Sequence, residues 1–370
     1  MATIFLIEPY FRGSHASWAH GLIKYSNHNI HLFSLPGNFW KWRMHGAAIS
    51  LSKQVKDQAL IPDLFLVSDM LDLPTFLALC GPKFTGIPTL LYFHENQLSY
   101  PWSPTDKDPS LKRDNHYAFL NYTSALVADH VCFNSAFHLT SFLDALPAFL
   151  NQFPDHQEIQ NVDLIRSKSS VLSLGIEYGE KPLIPKVPNK RPVILWNHRW
   201  EYDKNPDAFF QALMRMKEEG IDFSLILLGE SFQKTPASFK KGLEVLQDYI
   251  LHSGYVEDKA EYYHWLQQAN VLPVTSRHDF FGISVVQAIQ AGVYPLLPRR
   301  YAYPEHIPPQ LHEKYLYNAS EELYKKLKAV VLNREEVDPD LSKHVAQYAW
   351  SVQIHAYDKL LDKMISNAVE

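Results

Sequence analysis

Arg277-His278-Asp279-Phe280-Phe281-Gly282 leads directly into an apolar run that carries Gln287 and ends at Ala291-Gly292. The order of types suits a loop that delivers an acid to the mouth of a helix. The first N–H groups of a helix have no intrahelical partner and the dipole is positive there, so that end attracts anions. Asp279 can hold hydroxyls. Gln287, eight positions on and two turns along the helix, can reach a second part of the same ligand. Ala291 and Gly292 allow close helix packing. A ligand with both a phosphate and many hydroxyls is a nucleotide sugar. Each residue alone has a plainer reading, Asp279 as an ordinary helix-start acid and Gln287 as a solvent-facing amide.

Arg199 and Lys204 stand in Trp196-Asn197-His198-Arg199-Trp200-Glu201-Tyr202-Asp203-Lys204-Asn205-Pro206. The spacing predicts a helix that starts near Lys204 and continues past Pro206, a residue favoured in a first turn. A planar fork and a point charge beside such a helix start can neutralise a diphosphate leaving group. The alternative is a solvated loop in which both cations pair with Glu201 and Asp203. Gly13-Ser14-His15 opens the first helix, where a glycine permits backbone approach to a phosphate or sugar, and an ordinary strand–helix turn has the same composition. His94-Glu95-Asn96-Gln97 crowds four polar residues at a strand end. They either contact an acceptor or sugar or satisfy one another in a structural network. Leu98 stands where a zinc helix motif needs its second histidine. Trp40-Lys41-Trp42-Arg43 interleaves aromatics with cations, which suits stacked bases and phosphates or a half-buried aromatic cluster under a loop. Gly229-Glu230 and Tyr255-Val256 follow two later strands and are suited to base and ribose contacts through their backbone.

These motifs need a scaffold that ends strands where helices begin. Apolar runs at 3–7, 30–34, 64–67, 89–93 and 130–133 read as buried strands, with helical patterns at 14–26, 40–55, 73–80, 111–128 and 136–149 between them. A Pro-rich stretch at 181–188 can join neither helix nor sheet interior and reads as a linker. The pattern then restarts, with strands at 192–196, 224–228, 249–252, 271–274 and 294–297 and helices at 206–219, 236–247, 259–268, 283–291 and 321–332. Strands alternating with helices imply parallel sheets, and such sheets bind ligands beyond the carboxyl ends of their strands. With 370 residues the chain exceeds one ordinary core and suits two domains of about 180 residues. The expected division is 1–180, 181–350, and a last helix over 351–370 that crosses back to the first domain.

Bulk properties narrow the function. A net charge of −5 argues against general coating of nucleic acid, so any such contact must be local. Lys41, Arg43, Lys107, Lys112 and Arg113 are the cations available for it. No apolar run approaches the roughly 20 residues of a membrane span, and the first residues read as a strand that breaks at Glu8-Pro9. Cys80 and Cys132 show neither metal nor disulfide spacing, which fits a reducing compartment. A cytoplasmic protein is expected, with no metal or other cofactor and no obligatory protein partner.

The second half resembles retaining GT-B glycosyltransferases of family 4, whose pattern is Arg-x4-Lys followed by Glu-x-Phe-Gly and a second Glu eight residues after the first. Arg199, Lys204, Asp279, Phe281 and Gly282 match it. Asp279 and Gln287 stand where that family has its two glutamates. The first half is similar to the tRNA-queuosine α-mannosyltransferase family, through Gly13-Ser14-His15, Trp40-Lys41-Trp42-Arg43, the run from Tyr92 to Pro101 and Phe133-Asn134-Ser135. His278–Gly282 and Tyr303-Pro304-Glu305 extend that likeness.

The resemblance implies an α/β protein of GT-B fold, two Rossmann-like doubly wound domains facing a central cleft. It implies transfer of mannose from GDP-mannose to the cyclopentene-diol of queuosine in a tRNA anticodon, with retention. Carried over, His94, Arg199, Lys204 and Asp279 form the catalytic set. Gly13, Ser14, Gly229, Glu230, Tyr255, Val256, Phe281, Gly282 and Gln287 bind the donor. His15, Trp40, Trp42, Arg43, Glu95, Asn96 and Gln97 meet the acceptor. Competing readings are the same fold acting on a lipid or polysaccharide, and a non-catalytic nucleotide-sugar or RNA binder.

Overall fold

A computed structural model describes residues 1–104, 106–111, 115–178, 189–230 and 237–369. The stretch expected to be a linker, and Lys112 and Arg113, lie outside them. The chain forms two compact units. One comprises Met1–Glu177 with Tyr348–Glu370, the other Tyr178–Gln347.

The first unit holds β1 (Thr3–Phe11), β2 (Asn29–Pro36), β3 (Leu64–Ser68), β4 (Thr89–Phe93), β5 (His130–Phe133) and β6 (Ser169–Val171), in the order β2-β1-β3-β4-β5-β6 and parallel throughout. Every residue of β3 and β4 is buried, as an apolar run covered on both faces requires. The strand expected to end before Pro9 instead runs on to Phe11, with a register shift against β2 between Glu8 and Phe11. An irregularity in the ladder is where a proline is tolerated inside a strand. That shift carries Glu8 and Tyr10 to the mouth of the sheet.

The last helix, Trp350–Val369, belongs to this unit. Trp350 lies between Gly21 and Gly175. A Cβ on either would come within 2.0 Å and 2.1 Å of the indole. Trp18 Nε1 donates to Tyr357 Oη at 3.1 Å, and Ser26 Oγ donates to Asp358 at 2.6 Å.

The second unit holds β7 (Val193–Asn197), β8 (Ser224–Leu228), β9 (Ile250–Gly254), β10 (Val271–Pro273), β11 (Tyr294–Pro298) and β12 (Leu316–Tyr317), ordered β12-β11-β10-β7-β8-β9 and parallel. In both sheets the strand order reverses beside the unit's first strand. That switch point is where α/β sheets open a crevice for ligands. The helix expected to start near Lys204 is divided. A single 3-10 turn, Tyr202–Lys204, ends at Asn205 with φ 51°, and the α-helix begins at Pro206. Proline at the first position cannot follow a residue in the right-handed helical region without strain, and asparagine tolerates the left-handed one.

Candidate active-site residues in the two units

In the second unit the sequence motifs meet around one buried ammonium. Lys204 Nζ lies 3.0 Å from Asp203 and 3.5 Å from Asp279, and donates to the carbonyl of His278 at 3.2 Å. Burial works against its charge, but the carboxylates of Asp279 and Asp203 outweigh burial and raise its pKa above the ordinary lysine value. Burial equally favours the neutral acid at Asp279, yet Lys204 holds that carboxyl below its usual range. Tyr303 Oη donates to the same Oδ2 at 3.2 Å.

Two histidines complete the shell as neutral rings. Burial, reinforced by Lys204, lowers His198 to about 4. Burial, partly offset by Asp279, brings His278 to about 4. Arg199 is half exposed at the rim, 3.3 Å from Glu201, close enough for its charge to act on Lys204. Both pairings of the plainer alternative, Arg199 with Glu201 and Lys204 with Asp203, therefore occur, and Asp279 is added to them.

Gly282 caps the helix Ile283–Gln290 with φ 88°, a left-handed conformation that favours glycine. The cap leaves the first N–H groups of that helix beside Asp279. Gln287 does not face solvent. Its Oε1 accepts from Tyr262 Oη at 3.2 Å, and its Nε2 donates to Tyr263 Oη at 3.2 Å. Gly229 ends β8 with φ 128°, and a Cβ there would stand 2.0 Å from the carbonyl oxygen of His198. Glu230 accepts from the N–H of Trp200. Tyr255 is exposed in the segment after β9, next to Val256.

The first unit assembles a second cluster at the ends of β1, β3 and β4. His15 Nδ1 lies 3.1 Å from Glu8 Oε2. Burial opposes the imidazolium, but the charge and hydrogen bond of Glu8, with Asp69 and Glu95 behind it, raise His15 to about 9. Its ring packs on that of His94 with centroids 4.1 Å apart, and Trp18 closes edge-on at 4.7 Å. Burial, then the charge of His15, pushes His94 well below the ordinary histidine value. The backbone N–H of His94 donates to Asp69 Oδ1 at 2.8 Å, and its Nε2 is buried with no hydrogen-bond partner among the described residues. Asp69 is raised to about 8, chiefly by burial. Glu8, His15 and His94 each bring one donor atom within 4.8 Å of the others, but here Glu8 and His15 spend a lone pair and a proton on each other.

The rest of the His-Glu-Asn-Gln run divides. Asn96 Oδ1 accepts from the N–H groups of Leu98 and Ser99 and shapes the turn. Gln97 donates its side-chain amide to Glu95 and its N–H to Asn121. Asn134 ties the carbonyl of His94 to the ring of His138. These are the bonds of a structural network, and they fix the strand end that presents His94. Gly13 opens the helix Gly13–Tyr25 with φ 55° and open space around it, with Ser14 exposed beside it. Sequence reasoning did not single out Glu8, Asp69, His198, Asp203 or Tyr262 as site residues. The one available signal was Glu8, an acid closing an apolar strand seven residues before a histidine.

Residues 3–176 match the family model described as tRNA-queuosine alpha-mannosyltransferase N-terminal, and residues 180–349 match glycosyl transferases group 1. A tRNA-queuosine alpha-mannosyltransferase of Drosophila melanogaster is 33% identical over 334 residues, covering 88% of this chain and 85% of the relative. Among solved structures, sucrose-phosphate synthase from Thermosynechococcus elongatus aligns with a TM-score of 0.69 at 13% identity, over 99% of this chain and 100% of that one. Anabaena HepE in complex with UDP aligns at 0.65, also at 13% identity and with the same coverage. At such identity these two speak for the GT-B fold alone.

Proposed function

The chain belongs to the tRNA-queuosine α-mannosyltransferase family, a mannosyltransferase acting on queuosine-bearing tRNA, and from that premise we propose GDP-mannose as donor, the cyclopentene-diol as acceptor and retention at the anomeric carbon. The observation that carries this reading is the ammonium of Lys204, held between Asp203 and Asp279 at the mouth of the helix Ile283–Gln290, with Arg199 at its rim.

The departing diphosphate places its charge on Arg199, Lys204 and the positive N–H end of that helix. Fixed donors of this kind lower a barrier by about 3–4 kcal/mol each when they face the developing charge. The cationic side chains take the part a divalent metal plays elsewhere. Asp279 shares one oxygen between Lys204 and Tyr303, so it orients sugar hydroxyls and does not attack. The attacking acceptor hydroxyl then loses its proton to the departing phosphate oxygen on the same face of the sugar. His94, neutral and with Nε2 unpaired, offers one hydrogen bond to a sugar or acceptor hydroxyl. Gly13 and Ser14 offer their backbone, and Gln287, fixed by two tyrosines, offers its amide to the ribose.

No helix among the described residues is long and apolar enough to cross a membrane; a cytoplasmic place beside tRNA fits that. The test is a donor panel on queuosine tRNA, with the anomeric configuration of the product read by NMR. GDP-mannose giving an α-linked product supports the proposal. A UDP-sugar as the better donor, or a β-linked product, contradicts it.

A further inference from the structure

Trp40-Lys41-Trp42-Arg43 opens the helix Trp40–Lys56, and its side chains part company. Trp40 packs against Tyr117 and Trp102, with centroids 5.0 Å and 6.5 Å away. Lys41 is held by Asp106 and Asp108 and lies over the same rings. This half of the motif looks inward.

The other half looks out. Phe39, the residue capping the helix, has φ 52° and ψ 56° and is 79% exposed. A bulky apolar residue in the left-handed region is a costly choice that neither local preference nor core packing explains. Trp42 is 62% exposed, but its position is built. The indole lies against Gly46, where a Cβ would come within 2.6 Å of the ring. The six-membered ring of the indole is seated on its own helix while most of the side chain stays exposed. Two arginines meet the segment that leads into Phe39. Arg43 Nε donates to the carbonyl of Pro36, three residues before Phe39, and the Cβ of Arg12 abuts Gly37.

We propose that Phe39 and Trp42 form a stacking platform for unpaired bases of the acceptor RNA beside the modified nucleotide, with Arg12 and Arg43 facing the phosphates. This rests on the tRNA reading and adds to it a surface separate from the transfer chemistry. Exposed flat apolar rings with flanking guanidinium groups suit single-stranded bases, which stack on aromatics without regard to sequence, and an anticodon loop presents such bases. A basic border confined to this surface reconciles a net charge of −5 with RNA binding.

The experiment measures the affinity of the full chain for queuosine tRNA with Phe39→Ala, Trp42→Ala, Trp42→Phe and Gly46→Ala, using thermal melting and GDP affinity as controls of fold. Each alanine in place of a ring is expected to weaken tRNA binding by about tenfold. Trp42→Phe keeps most of the affinity. Gly46→Ala, which favours the helix but unseats the indole, weakens binding without lowering the melting temperature. Unchanged tRNA affinity in Phe39→Ala and Trp42→Ala overturns the platform while leaving the transferase reading in place. A shift from dimer to monomer in these variants, with tRNA affinity unchanged, overturns it in favour of an interface between copies of the chain. If wild-type protein does not bind or modify queuosine tRNA, the underlying reading fails first.

Discussion

His15 Nδ1 stands 3.1 Å from Glu8 Oε2, and both side chains are buried where β1 ends. The pair places a cation against the ring of His94 and adds to the burial that keeps that ring neutral. It also couples the first unit to pH. A base raised from 6.5 to about 9 contributes stability that is complete below pH 6.5 and is lost as pH rises through 9. A shift of that size corresponds to on the order of 3 kcal/mol. Asp69, raised from 3.8 to about 8, acts in the same direction from a lower starting pH. The melting temperature of the first unit is expected to fall between pH 6.5 and 9, and Glu8→Gln flattens that fall. A melting temperature constant across this window in the wild type contradicts the pair.

Lys204→Ala removes the ammonium between the buried Asp203 and the part-buried Asp279. Turnover is expected to drop at least about tenfold, because the leaving diphosphate loses a fixed donor. Stability also drops, by about 3–5 kcal/mol, since the buried Asp203 loses its cation. Steady-state kinetics well below the melting temperature separates the two effects, and a wild-type rate there refutes the diphosphate role.

Gly229→Ala sets a methyl group 2.0 Å from the backbone oxygen of His198 at a positive φ. Backbone must move, at a cost of about 1–3 kcal/mol, and the segment before Arg199 moves with it. Denaturant unfolding and donor titration are expected to show reduced stability together with weaker nucleotide binding. A change in neither places the close approach elsewhere.

Gly21→Ala tests how the last helix is held. The new methyl meets the Trp350 indole, which is fixed on its other side at Gly175. A loss of about 1–3 kcal/mol is expected from overpacking, and Trp350→Ala costs about 3–5 kcal/mol by leaving a cavity. Urea unfolding followed by tryptophan fluorescence reads both. Stability within a few tenths of wild type in both variants contradicts the packing described.

Much of the scaffold was legible because buried parallel strands are continuous apolar runs. Ten of the twelve strands among the described residues follow from that pattern alone, and the two missed, Ser169–Val171 and Leu316–Tyr317, are short edge strands. Lys204 and Asp279 could each be picked out as site residues from their motifs, though not as a pair, since β8 and β9 lie between them in the chain. Their neighbours could not. Tyr303 and His198 reach Lys204 or Asp279 through tertiary packing, which no local pattern encodes. Pro9 misled for a physical reason, since a register shift admits a proline that a regular strand excludes. The plainer reading of Gln287, a solvent-facing amide, fails because the helix Lys259–Gln268 brings Tyr262 and Tyr263 to it.

One assay bears on the central claim most directly: mass spectrometry of nucleosides from queuosine-containing tRNA incubated with the protein and GDP-mannose. A hexose-sized gain on queuosine, absent with Lys204→Ala, is the predicted result. Queuosine recovered unchanged, under conditions where the protein is folded and binds the nucleotide, would contradict the account.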